Sequence, residues 1–199
     1  MNTHRATQKA ETRRRLLDGA VKLCAEQGFF GLRTLDLAES IGVAHGSVFV
    51  HFPTREALLA EIAGELGRRI TDRLHAVETS RGGLRRALAV HLECLAADEV
   101  IYRHLVLAAP LLPDVLRDGW LCIQSAVSHH IAGAAKRELE AGALKRMPMH
   151  LLFNGWLGLV HHYVIHRDVF APGASVLETH GAMLVAHYIG LLKKGEKQS

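Results

Sequence analysis

Cysteine is scarce in this sequence: only Cys24, Cys94 and Cys122 occur, far apart and each set within an apolar helical pattern. An odd, scattered set argues against a disulfide framework and against a thiolate zinc cluster, and fits a reducing compartment. The spacings CxxC, CxxH and HExxH do not occur, nor do GxSxG, GxGxxG or GxxxxGK. No metal, no cofactor and no enzymatic activity are therefore expected. The amino-terminal stretch MNTHRATQKAETRRR is polar and basic and lacks the apolar core of a signal peptide, so export is not expected. The longest apolar run, 151–165, is interrupted by Asn154, His161 and His162 and is shorter than the ~20 residues a membrane span needs. The expectation is a cytoplasmic protein without membrane contact. Internal repeats, low-complexity linkers and alternating strand patterns are absent too, which leaves an all-α fold.

What is present is a chain of 199 residues, 49% apolar and 22% charged, enough for a real core in one or two small domains. Positive charge is uneven. Residues 1–55 hold eight Lys/Arg against five Asp/Glu, whereas the remainder is nearly balanced, sixteen against fifteen. That places the basic field at the amino-terminal end, where it would attract phosphates. Helical periodicity predicts about nine helices: 7–27, 34–41, one starting near Ala44 or His45, then 54–79, 84–97, 99–109, 114–141, 149–167 and 176–193. Gly and Pro positions separate them. Phe29 and Phe30 are expected to plug the first turn, and the tail GEKQS to fray.

The most informative stretch is TLDLAESIGVAHGSVFVHF, beginning at Thr34. Thr34 can cap a helix whose apolar side is Leu37, Ala38 and Ile41, and Gly42 can end it with positive φ. A second short helix has Val48 and Phe52 inward, four apart, and His45, Ser47 and His51 outward. This is the spacing of a helix-turn-helix, a device that presents one exposed helix to a DNA major groove. Pro53 and Thr54 then start the next helix, so the expected division is a DNA-binding domain over 1–53 and an effector and dimerisation domain over 54–199.

Thr34, Leu37, Ala38, Gly42, Val43, Gly46, Ser47, Val48, Phe49, His51, Phe52, Arg55, Glu56 and Leu58 stand at the spacing TxxLAxxxGVxxGSVFxHFxxREAL. In these residues the chain closely resembles the TetR family of bacterial transcriptional regulators. The resemblance implies that Thr34 contacts a phosphate, that His45, Gly46 and Ser47 face the groove, and that His51 and Arg55 clamp phosphates. Ala44 and Phe49 depart from the usual pattern: the first loses a helix cap, the second a phosphate donor. A basic arm of His4, Arg5, Lys9 and Arg13 is placed to compensate. The resemblance further implies a repressor released by a small-molecule effector.

One such helix reads few bases, so a homodimer on a pseudo-palindromic double-stranded operator is expected. The last two helices are the candidates for its interface. Leu151, Leu152, Trp156, Leu159, Val160 and Tyr163 surround the eighth helix, and Gly155, Gly158, Gly181 and Gly190 permit close approach. For the effector, His91, Cys94, Tyr102, His104, Trp120, Gln124, Phe153 and Trp156 mix aromatic and polar groups on helices expected to converge. Three other readings compete. Cys94 or Cys122 could sense redox state, His162 and His166 with His161 and Asp168 could form part of a metal sensor, and an effector-free architectural DNA-binding protein would have a filled interior.

Overall fold

The computed structural model describes residues 2–194, with side chains except at positions 2–4 and 115. The tail expected to fray and the His4 side chain lie outside the described residues. Among the described residues ten helices follow one another: α1 (Asn2–Gly31), α2 (Thr34–Ile41), α3 (His45–His51), α4 (Arg55–Thr79), α5 (Leu84–Ala97), α6 (Glu99–Ala108), α7 (Asp114–Glu140), α8 (Met149–Ile165), α9 (Arg167–Phe170) and α10 (Val176–Leu192). A 3-10 turn, Ala109–Leu111, lies between α6 and α7. Among the described residues there is no strand, only an isolated antiparallel bridge between Leu144 and Lys193.

The all-α expectation is met, with one helix more than expected. The helix expected to reach Arg167 stops at Ile165, because His166 turns the backbone to φ −97° and ψ 26°, and a four-residue helix then follows. The first helix starts earlier than residue 7. Its regular geometry ends where expected, at Gly28, whose φ of 77° and ψ of 168° interrupt it. At that φ any side chain would be strained, and a Cβ there would also meet the His104 ring at 3.2 Å. Phe29 plugs the turn beneath, but Phe30 does not: it is 54% exposed.

The chain forms two compact units, residues 1–66 with 100–120, and residues 67–99 with 121–199. In the first, Leu16, Ala20 and Cys24 of α1 are sealed with Leu37, Val48, Phe52 and Leu58. Each fully buried leucine contributes about 1.5–3 kcal/mol relative to exposure. In the second unit α10 packs on α5 and α8, burying Leu88, Leu95, Val160, Val164, Leu184 and Ile189. Glu99, buried at the start of α6, pins this unit together. Its carboxylate accepts from Ser175 Oγ at 2.5 Å and from the backbone N–H groups of Leu177 at 2.9 Å and Val176 at 3.2 Å. Arg167 adds a cation at 3.6 Å. A carboxylate at the first turn of α10 satisfies orphan donors and complements the helix dipole.

Candidate nucleic-acid interface

α2 and α3 are positioned by short-range rules. Gly42, at φ 69° and ψ 43°, is the left-handed cap of α2 and donates its N–H toward Ala38 O and Glu39 O. Arg15 Nη2 donates to Ile41 O at 2.7 Å and satisfies another carbonyl of that end. α3 then buries Val48 and Phe52 and leaves His45, Gly46, Phe49 and Val50 exposed, with Ser47 half-buried. Phe49 and Val50 leave apolar surface on α3, 42% and 68% exposed. Ala44 stands at the amino end of α3 in extended conformation without a side-chain cap, as its identity dictates.

Thr34 does something other than cap. Arg33 occupies the cap position of α2 and no side chain closes it. Thr34 Oγ1 instead bonds His45 Nε2 at 3.0 Å, and the His45 ring lies edge-on to Phe49 at 5.2 Å. Two residues expected to touch DNA thus hold each other, which orients the His45 ring before any ligand arrives. His51 is half-buried, and among the described residues its Nδ1 has no hydrogen-bond partner. Burial, then the Lys9 and Arg13 cations, hold its imidazole below the ordinary histidine range, so it is neutral at physiological pH.

Two expected phosphate contacts have internal commitments. The Arg55 guanidinium turns toward the end of α1: Nε donates to Leu32 O at 2.7 Å, and Nη2 donates to Phe29 O at 2.7 Å and Phe30 O at 3.0 Å. Helix carbonyls left unpaired past Gly28 need donors, and a planar fork with fixed N–H directions supplies three. Arg13 lies over the Phe52 ring at 4.9 Å and pairs with Glu61 at 3.0 Å. Arg5 and Lys9 remain exposed one turn apart on α1.

Of the residues expected around an effector, Tyr102 and Trp120 belong to the first unit, where their rings lie 6.0 Å apart. His91, Cys94, Gln124, Phe153 and Trp156 belong to the second. There Trp156 Nε1 donates to His91 Nδ1 at 3.1 Å, deep in the unit. Burial, then the neighbouring His161, lowers the His91 pKa to about 3, and burial lowers that of His161 to about 4. Both are neutral when folded. Only the unfolded chain gains their protons near pH 6.5, so stability is full above that pH and falls below it. The His91 contribution alone falls by about 2 kcal/mol between pH 6.5 and 5. Urea midpoints measured across that interval should show the drop, and His91→Leu should remove about half of it, leaving the share of His161.

The cysteines divide by environment. Cys24 and Cys94 are buried, and burial raises the Cys24 thiol to about 12 and pushes Cys94 up despite the Arg73 cation beside it. Neither is a ready thiolate. Cys122 is exposed. Of the histidines weighed for metal binding, the rings of His162 and His166 lie 4.6 Å apart, tilted by 40°, with His166 Nδ1 on the His162 carbonyl at 2.9 Å.

A different cluster was not legible. His75 and Glu78 lie one turn apart on α4, and His130, 52 residues beyond Glu78, meets them from α7 with Nδ1 at 2.9 Å from Glu78 Oε2. The HxxE spacing on α4 was the available signal, and nothing in sequence paired it with α7.

Fold and surface together define an all-helical protein with an amino-terminal helix-turn-helix head. Residues 16–62 match the model of the family described as bacterial regulatory proteins, tetR family. The HTH-type transcriptional repressor Rv1474c of Mycobacterium tuberculosis is 37% identical over 90 residues, 45% of this chain and 44% of that protein. The match thus spans less than half the length of that relative. The HTH-type transcriptional repressor AcnR of Corynebacterium glutamicum is 26% identical over 177 residues, 88% of this chain and 90% of that one. A solved transcriptional regulator from Saccharomonospora viridis, in complex with choline, is 21% identical with a TM-score of 0.77 over 94% of this chain and all of that one. Residues 16–62 thus carry the amino-terminal domain of the tetR family of bacterial regulatory proteins, and the whole chain shares the fold of solved members of that kind.

Proposed function

We propose that this chain is a homodimeric repressor that lays α3 in the major groove of a pseudo-palindromic operator and is released by a small-molecule effector. The observation that carries the reading is α3 itself. Val48 and Phe52 bind it to the head while His45, Gly46 and Phe49 stand exposed, with a basic α1 in the same unit. Residues 1–53 form the reading head in this view, and 54–199 carry effector binding and dimerisation. Thr34 and His51 contact phosphates, and His45 and Ser47 read base edges.

A dimer through α8 and α10 is supported by their exposed stripes. On α8 these are Leu151, Asn154, Gly155, Gly158 and His162, and on α10 Thr179, Ala182, Met183, Ala186, His187, Gly190 and Leu191. The exposed face of α8 holds no Asp, Glu, Lys or Arg and that of α10 holds Glu178 in its first turn, while a Cβ at Gly158 or Gly190 would meet nothing in the monomer. Small, largely uncharged faces on neighbouring helices suit a four-helix interface between two copies. For the effector, the choline complex of the similar fold gives precedent for a small organic molecule, and the buried His91–Trp156 pair supplies an aromatic, neutral environment for one.

Selection of bound duplexes from a random library tests the reading. The expected yield is inverted half-sites whose centres lie about 34–36 Å apart or at a multiple of it. His45→Ala should relax the preference at one or two base positions per half-site, by roughly 1–3 kcal/mol each, without changing the salt dependence. Enrichment of no common sequence would reject it.

A further inference from the structure

The cluster between α4 and α7 has no part in DNA reading or in the effector region described above. One ligand atom from each of His75, Glu78 and His130 can be chosen so that all lie within 4.8 Å of one another. Two imidazoles and one carboxylate form a common three-residue set for borderline divalent metals, with a water completing the tetrahedron. We propose that His75, Glu78 and His130 bind a divalent transition metal of the zinc class, fastening α4 to α7.

Three observations lead there. First, His75 and Glu78 are three apart on one helix, so both project from the same face toward α7. Second, α7 makes room for the carboxylate: a Cβ at Gly133 would stand 2.5 Å from Glu78 Oε1. Any other residue at that position would displace it. Third, the carboxylate is ringed by imidazoles. His130 is hydrogen-bonded to it, and the rings of His75 and His129 lie 5.7 and 5.6 Å from that of His130.

In a tetrahedral site ligand atoms stand about 3.4 Å apart, so the wider separations close while the 2.9 Å His130–Glu78 pair opens slightly and gives up its hydrogen bond to the metal. His75 is exposed and free to swing, and His129, also exposed, is near enough to replace the water. The imidazole pair selects zinc, cobalt or nickel over magnesium and calcium.

The test uses full-length protein without a histidine tag, stripped with chelator and titrated with Zn2+ against a chromophoric competitor. Co2+ absorption reports coordination geometry. Expected are one equivalent per chain, the intense visible bands of tetrahedral cobalt, and at least a tenfold loss of affinity, roughly, in each of His75→Ala, Glu78→Gln and His130→Gln. His162→Ala should leave affinity unchanged. His75 is exposed, so its variant folds and keeps the test decisive. Absence of stoichiometric binding, affinity indifferent to His75→Ala and Glu78→Gln, or affinity lost in His162→Ala would each overturn the assignment. None of these readouts depends on DNA binding.

Discussion

Replacing Arg55 with alanine is expected to loosen the amino-terminal head by ~2–3 kcal/mol. A charged donor that satisfies helix-end carbonyls contributes about that much, and its removal strands the acceptors. Leu32 O, Phe29 O and Phe30 O lose their guanidinium together, and they hold the turn between α1 and α2. A urea midpoint lowered by about 1 M or more would check the stability effect. Arg55→Lys should recover little, because one ammonium cannot reproduce a planar fork aimed at three carbonyls. The same variants separate this internal task from the phosphate clamp that the family resemblance implies. An internal arginine leaves the salt slope of operator binding intact in the molecules that remain folded. A clamp lowers the slope by about one per head. Reduced slope with unchanged stability would show that Arg55 works chiefly on DNA.

Met183→Glu and Gly158→Arg are expected to have the largest effect on operator binding. Met183 is 50% exposed in the single chain, so a glutamate there is tolerated by the monomer but places two like charges near the axis of an α8–α10 dimer. Arginine at Gly158 fills the open space where a second copy would approach. Each variant should run as a monomer in size-exclusion chromatography with light scattering while keeping its helical circular dichroism. Operator affinity should fall by roughly 10²-fold or more, since linking two heads is what turns two weak half-site contacts into one tight one. Dimers that persist with unaltered affinity would move the interface elsewhere on the chain.

The comparison of expectation with structure follows the range of the interactions concerned. Ends of α2, α3, α4 and α5 were legible because caps, glycines and prolines act within a turn: Gly42 stops α2, Thr54 Oγ1 accepts from Ala57 N at 3.1 Å at the start of α4, and Gly83 precedes α5. Val48 and Phe52 were identified as the inward side of α3 because a period of 3.6 residues defines a face. Periodicity does not say which distant group a face meets. It could not show that Arg55 turns back to carbonyls 23 to 26 residues earlier, or that Thr34 engages His45 rather than its own helix end. Phe30 looked as apolar as Phe29, yet the break at Gly28 sends only one of them inward.

The sequence by itself determined an all-helical chain, the helix-turn-helix and the inward and outward sides of α3, since each is written in local spacing and composition. Only the tertiary structure decided the partners of Arg55, the anchoring of α10 on Glu99 and the meeting of His75, Glu78 and His130. Those contacts join groups separated by 20 residues or more, and their existence depends on how helices pack, a property that no short window of sequence contains.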